Sequence, residues 1–153
     1  MRKDTGFSLL ELMTVMAIVA ILSAIAVPSL FQWLPKHRVG NAAREVKSTL
    51  EFARSRAISR NTKVRVDFDW DDDNLTVVEV IEDPPGTFVD TTLRIRQLPG
   101  DVDMQANGLV GSAVTFNGHG FASQGGGVVV VNTSDNTLSR GITLTIGGNS
   151  RIQ

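Results

Sequence analysis

The sequence predicts an α+β protein: a long N-terminal helix whose second half packs against a C-terminal antiparallel β domain of two small sheets. Three observations predict this fold. Residues 7–34 are almost wholly apolar, residues 36–60 repeat apolar side chains at helical spacing, and glycine-rich turns then separate short runs of valine, isoleucine and threonine. The chain has 153 residues, a length that leaves room for one globular domain beyond the apolar segment. Its net charge is −1.

The apolar segment is long enough to cross a membrane as a helix, because a bilayer core needs about 20 apolar residues. Arg2 and Lys3 precede it, so the positive-inside rule predicts a cytoplasmic N-terminus. A secretory signal would have an apolar stretch of roughly 7–15 residues with its cleavage site beyond it. Residues 7–34 exceed that length, so we expect a transmembrane helix that stays in the protein.

Glu11 is the single charged residue between positions 7 and 34. A carboxylate within the hydrocarbon costs on the order of 2.5–3.5 kcal/mol, so such a group usually has a partner and a function. Two interpretations remain open from the residues alone. Glu11 lies at the cytoplasmic edge and stays hydrated, or it is paired inside the apolar layer.

The run Gly6-Phe7-Ser8-Leu9-Leu10-Glu11 resembles the type IV prepilin signature. The resemblance implies that a prepilin peptidase removes residues 1–6 as a leader by cutting between Gly6 and Phe7. Phe7 then becomes the N-methylated N-terminus of the mature chain. Glu11 would pair with the corresponding amine of a neighbouring subunit and set the register of assembly, since an unpaired buried charge is strongly unfavourable.

Pro28 also matches this family, which carries a proline at about this distance from the cleavage point. A proline inside a helix removes one hydrogen bond and bends the chain. Pro28 is therefore predicted to be a helix kink. Either it loosens the helix during packing, or it bends the helix where the chain leaves the membrane.

The amphipathic helix is predicted over about 36–60, closing near Asn61, a residue that tolerates the left-handed conformation of a helix end. Within it, the run Ala53-Arg54-Ser55-Arg56-Ala57-Ile58 resembles the GspH/FimT family of type IV pilin-like proteins, which comprises minor pilins and minor type II secretion pseudopilins. The turn from Phe116 to Gly120 resembles the Phe-x-x-x-Gly turn of the same family.

This resemblance implies a pilin-like subunit divided into a leader (1–6), a transmembrane and assembly helix (7–34) and a globular domain (35–153). It implies assembly into a type IV pilus or a type II secretion pseudopilus, at or near the tip. The implied partners are other pilins or pseudopilins, the prepilin peptidase and the inner-membrane assembly platform. The implied location is the bacterial inner membrane, crossed once, with a periplasmic β domain, before incorporation into the filament.

Alternating and β-branched runs predict six strands, at 63–69, 75–82, 92–98, 113–117, 127–132 and 141–146. The acidic run from Asp69 to Asn74 joins the first two. Its spacing begins like a calcium loop, but Asn74 replaces the required glycine and Val80 stands where the bidentate glutamate belongs. A solvated hairpin turn is the favoured interpretation and a calcium site the alternative.

The composition argues against catalysis. The chain has no cysteine, and His37 and His119 lie far apart without neighbouring carboxylates. The run Gly125-Gly126-Gly127 lacks the Lys-Ser/Thr of a phosphate-binding loop. We therefore expect no enzyme activity, no cofactor and no metal.

DNA binding is the alternative function. Some FimT-like minor pilins take part in DNA uptake, and a Gly-Arg-x-Arg stretch near the C-terminus is associated with that role. The segment Gly148-Asn149-Ser150-Arg151 keeps only the second arginine, Arg151, which weakens the prediction because phosphate binding needs several cations. A second basic patch is the other candidate, formed by Arg54, Arg56, Arg60, Lys63 and Arg65, although scattered charge on a helix surface is the commoner explanation.

Overall fold

A computed structural model describes residues 8–82 and 86–153, with the side chains of 28–32 excluded. One helix precedes eight strands. The helix is α1 (Leu9–Arg60), and the strands are β1 (Lys63–Asp69), β2 (Asn74–Glu82), β3 (Phe88–Gln97), β4 (Val102–Asn107), β5 (Ala113–Phe116), β6 (Gly126–Asn132), β7 (Ser139–Leu144) and β8 (Ser150–Ile152). The chain divides into two compact units, Met1–Pro35 and Lys36–Gln153.

The second half of α1 forms one side of the core of residues 36–153. Its buried stripe consists of Val39, Ala42, Ala43, Val46, Leu50, Ala53 and Ala57, all 2 % exposed or less. Four of these seven are alanines, whose small side chains let the strands approach the helix backbone closely. The helix ends at Arg60 as predicted, and Asn61 takes the left-handed conformation, with φ of 52°.

The strands form two four-stranded antiparallel sheets, as the sequence predicts. The first sheet has the order β3-β2-β1-β5 and the second has the order β4-β6-β7-β8. The first two strands form the predicted hairpin, in a register that pairs Lys63 with Val80 and Asp69 with Asn74. Side chains from both sheets meet the helix in one core, whose largest fully buried members include Phe116, Leu75, Met104 and Ile142.

Two strands, β4 and β8, were not predicted. In β4, only Val102 and Met104 are buried, and three of the other four positions are Asp, Ala and Asn, which are depleted in strands. Pairing with β6 holds this segment extended. The three residues of β8 are too few to show a pattern, and they pair with β7. β3 begins at Phe88, four residues before the predicted Thr92.

The acidic run between β1 and β2 is a turn that uses its carboxylates to bind its own backbone. Asp69 Oδ1 accepts the backbone N–H groups of Asp71 and Asp72, both at 3.2 Å. Asp73 takes a left-handed conformation, and its Oδ1 accepts the N–H of Met104 at 2.6 Å. The acidic run is therefore a hairpin turn, and the Asp73 hydrogen bond connects it to β4.

Burial raises the pKa of Asp73, against the opposing effect of the Met104 hydrogen bond, and nearby Asp103, Asp69 and Asp72 raise it further. A raised folded pKa means that the carboxyl group stabilises the fold most when protonated, and that this contribution is lost as pH rises through the folded pKa. Asp73→Asn keeps the acceptor and tolerates the left-handed backbone. We expect it to stabilise residues 36–153 at neutral pH by roughly 0.5 kcal/mol, since solvent screens a partly exposed group, with no gain below about pH 3.

Urea unfolding of residues 36–153 as a function of pH measures this effect. Asp135→Asn is the control of opposite sign, because hydrogen bonds from Thr137 lower the pKa of Asp135. Its stabilising contribution is present above the unfolded pKa and is lost as pH falls, so the control is expected to cost stability only at neutral pH. A gain for Asp73→Asn that stays constant across the range would contradict the argument.

Candidate assembly surfaces

The first part of α1 has an apolar surface that its own fold leaves uncovered. The stretch Leu9–Val27 is strongly apolar and is not buried, and by length and composition it can cross a membrane. Gly6 and Phe7 lie outside the described residues, as does the side chain of Pro28. The cleavage and kink predictions therefore remain predictions.

Glu11 lies in the first turn of α1. Its backbone N–H donates to Ser8 Oγ at 3.3 Å, so Ser8 caps the helix. A carboxylate in the first turn also interacts favourably with the helix dipole. Ser8-x-x-Glu11 has the spacing of a capping box, so the sequence contains a local pattern that predicts this helix start and was missed. The helix start thus holds Glu11 at a defined place on an exposed apolar surface.

At the other end of α1, Arg54 joins two turns of the β domain to the helix. Its Nε donates to the Gly120 carbonyl at 3.1 Å, and its Nη1 donates to Asn149 Oδ1 at 2.8 Å. Gly120 has φ of +81°, a backbone conformation that residues with a Cβ rarely adopt. The first turn therefore needs glycine at this position to reach the helix. The arginine of the Ala-Arg-Ser run thus has a structural role here.

Arg56 is paired inside the domain. Its Nη2 donates to Glu79 Oε2 at 3.0 Å, while Thr62 Oγ1 donates to Glu79 Oε1 at 3.1 Å. Glu79 is only 6 % exposed and points from β2 toward the helix. Arg56 Nε is buried without a hydrogen-bond partner. This network joins the helix end to the first sheet.

The remaining cations near the helix end differ in their pairing. Arg65 donates to Asp67 and Asp90 at 2.8 Å each, and these hydrogen bonds raise the pKa of its guanidinium group. Within residues 8–82 and 86–153, no carboxylate pairs with Arg60, Lys63 or Arg151, all of which are exposed. The four arginines predicted for DNA binding therefore do not form one patch of available charge.

The described part of the chain contains no group of three or more His, Asp or Glu side chains placed to hold a metal ion. In the acidic turn, one oxygen each of Asp69 and Asp73 accepts hydrogen bonds from the backbone.

Comparison with protein families identifies the chain. Residues 42–148 match the profile described as type II transport protein GspH, which covers more than half of the sequence. The chain belongs to the GspH family. Residues 1–27 separately match the prokaryotic N-terminal methylation motif, which includes the Gly6-Phe7 junction and Glu11. A comparison with curated proteins finds no significant match.

Solved structures share the fold. The type IV minor pilin FimU of Pseudomonas aeruginosa superposes with a TM-score of 0.63 at 17% sequence identity, covering 76% of this chain and 89% of FimU. The minor pseudopilin EpsH of the Vibrio cholerae type 2 secretion system gives a TM-score of 0.62 at 12% identity, covering 76% of this chain and 96% of EpsH. This GspH-family chain therefore has the pilin-like α+β fold of minor pilins and pseudopilins.

Proposed function

We propose that this GspH-family chain is a minor filament subunit, inserted in the bacterial inner membrane through residues 7–34 and then assembled into a type II secretion pseudopilus or a type IV pilus. The observation that carries the proposal is the exposed apolar helix Leu9–Val27, with Glu11 as its one carboxylate. The hydrophobic effect requires this surface to be covered, first by lipid and then by neighbouring helices.

The processing steps of the proposal rest on the N-terminal motif. A prepilin peptidase cuts between Gly6 and Phe7, and the new amine of Phe7 is methylated. The N-terminus faces the cytoplasm and residues 36–153 face the periplasm, in agreement with Arg2 and Lys3 on the cytoplasmic side. The inner-membrane assembly platform then moves the chain from the membrane into the filament, and the helix bends at Pro28.

The proposal also places the chain at or near the tip, and its likeness in fold to a minor pilin and a minor pseudopilin supports this placement. Glu11 supplies the test of the assembly step, because its carboxylate can be neutralised while the rest of the helix is unchanged. Filament incorporation of such a variant, compared with its membrane insertion, decides between an assembly role and a simple membrane anchor.

DNA binding is the second candidate function, and it rests on Arg60 and Arg151, exposed arginines of the predicted set that pair with no carboxylate among the described residues. Arg54 and Arg56 support it less, because Arg54 binds two turns and Arg56 binds Glu79. If this function is correct, the detergent-solubilised chain binds duplex DNA at low salt, and the affinity falls steeply as salt rises.

Arg60→Ala with Arg151→Ala is then expected to weaken DNA binding about tenfold or more, through the loss of two phosphate contacts, and to make its salt dependence shallower. Arg44→Ala with Arg140→Ala is the matched control, since it removes two exposed arginines outside this set, neither of which pairs with a carboxylate among the described residues. Titration at two salt concentrations measures both quantities. Absence of binding at low salt removes this candidate and leaves the assembly proposal unaffected.

A further inference from the structure

The domain of residues 36–153 has a cavity of about 260 Å³ beside its first residue, Lys36. The cavity lies between α1 and the turn that leads from β6 into β7, and its lining consists of Lys36, Val39, Thr137, Leu138, Ser139 and Arg140. This volume is slightly below the range of about 300–1,000 Å³ that is typical of small-molecule sites. It has room for a ligand of the size of a lipid headgroup.

The cavity combines apolar and basic side chains. Val39 is only 2 % exposed, and Leu138 packs against the core, so these two form an apolar floor. Lys36 and Arg140 are exposed and form a basic rim. In the part of the chain that the structure describes, no carboxylate forms an ion pair with either cation. A ligand that fits such a site carries negative charge next to an apolar group.

Two carboxylates at this end of the domain are engaged by other groups. Arg38 Nη1 donates to Asp101 Oδ2 at 2.7 Å. Asp135 Oδ1 accepts the backbone N–H and the hydroxyl of Thr137 at 3.0 and 2.6 Å. These hydrogen bonds chiefly lower the pKa of Asp135, and the charge of Lys36 makes the smallest contribution. Asp135 therefore lies close enough to interact with Lys36 without forming an ion pair with it.

The turn between β6 and β7 is held in one shape by its own hydrogen bonds. Asn132 Oδ1 accepts the backbone N–H groups of Ser134 and Asp135 at 3.1 and 2.9 Å. The N–H of Leu138 donates to the Asp135 carbonyl at 2.9 Å. The cavity is therefore formed before a ligand enters it, which reduces the entropy that binding costs.

The connectivity of the chain keeps Lys36 close to the membrane proposed above. Only Pro35 separates it from residue 34, the last residue of the membrane segment. Two Cα–Cα steps of about 3.8 Å keep the Lys36 backbone within about 8 Å of that residue, and the headgroup layer of one leaflet is roughly 5–8 Å thick. Trp33 is 56 % exposed, and tryptophan is enriched at membrane surfaces. The basic rim thus begins within reach of lipid headgroups.

We propose that Lys36 and Arg140 bind the phosphate of an anionic phospholipid in the periplasmic leaflet. The Ser139 hydroxyl is a further donor to the phosphate, and the apolar floor of the cavity contacts the glycerol end of the lipid. The bound lipid holds the β domain against the membrane, and it is released when the chain leaves the membrane for the filament. The proposal rests on the membrane insertion proposed above and adds a ligand for the β domain.

Fluorescence quenching in lipid nanodiscs tests this site on the full-length chain. Because the chain has no cysteine, Ser134→Cys places a single fluorophore on the β6–β7 turn. The discs contain phosphatidylcholine with or without phosphatidylglycerol, and a nitroxide on a small share of the headgroups quenches a fluorophore held at the membrane surface. We expect stronger quenching in discs with phosphatidylglycerol. Lys36→Gln with Arg140→Gln is expected to weaken the docking equilibrium about tenfold or more, because each basic residue near anionic lipid contributes to binding.

The matched control is Arg44→Gln with Lys63→Gln. It removes two exposed cations outside the cavity, and neither pairs with a carboxylate among the described residues. This control is expected to leave the quenching unchanged. An equal loss in the control would assign the effect to long-range attraction between the whole domain and the membrane, and would overturn the site. Unchanged quenching in the Lys36→Gln with Arg140→Gln variant would also overturn it.

Inorganic phosphate distinguishes a lipid headgroup from a free anion. We expect the quenching to persist when inorganic phosphate replaces chloride at equal ionic strength, because the membrane supplies headgroups at a high effective concentration. Loss of quenching in phosphate would assign the site to a free anion and overturn the lipid proposal. Release of the unsubstituted chain from membranes by alkaline carbonate would overturn the membrane insertion proposed above, whereas an inserted chain without headgroup contact would overturn this site alone.

Discussion

Glu11→Gln is expected to lower incorporation into filaments by at least tenfold while leaving membrane insertion and leader removal intact. Glutamine keeps the size of the side chain but removes the charge that is proposed to pair with the methylated amine of Phe7 in a neighbouring subunit. Breaking a buried ion pair by neutralising one partner costs about 3–5 kcal/mol, which corresponds to more than a hundredfold in a binding constant. A tenfold loss is therefore a conservative expectation for a pair that retains some hydration.

The measurement compares the amount of the chain in sheared filaments with the amount in the membrane fraction, and mass spectrometry tests whether the recovered chain begins at Phe7. Glu51→Gln is the matched control, because Glu51 is an exposed glutamate of the same helix whose pairing with Lys47 contributes little. Normal incorporation of Glu11→Gln would contradict the pairing. It would leave Glu11 as a first-turn residue that favours the helix start through Ser8 and the helix dipole.

The sequence pattern correctly predicted the elements whose structure depends on residues close together along the chain. The end of α1 follows from Arg60 and Asn61, since asparagine accepts the left-handed conformation at low cost. The β1–β2 hairpin follows from alternation on both sides of a polar turn. β4 was missed because its extended conformation depends on pairing with β6, which lies about 25 residues further along the chain.

The role of Arg54 shows a second limit. Its acceptors, on Gly120 and Asn149, lie 66 and 95 residues away, and no local pattern predicts such contacts. Glu79 is different, because its burial could have been predicted. Leu75 and Val77 alternate on the inner face of β2, and the same period of two places Glu79 on that face. A carboxylate at an inward position then requires a partner from the helix, and Arg56 supplies it.

Glu79→Ala is expected to destabilise residues 36–153 by about 2–3 kcal/mol, near the lower end of the cost of breaking a buried ion pair, because the Arg56 side chain is 30 % exposed. The loss leaves Arg56, whose Nε already lacks a partner, as an uncompensated charge beside the core. Thr62 Oγ1 loses its acceptor in the same variant. Urea unfolding of residues 36–153 measures the change.

The double variant Glu79→Leu with Arg56→Met separates the cost of an orphaned charge from the value of the pair itself. Apolar side chains of similar size remove both charges, so we expect its stability to lie within about 1 kcal/mol of the unsubstituted domain. Glu45→Ala breaks the exposed pair with Arg96 and serves as the control, with an expected cost below about 1 kcal/mol. If the double variant is as unstable as Glu79→Ala, the network stabilises the helix–sheet junction through its hydrogen bonds, and the orphaned-charge explanation is wrong.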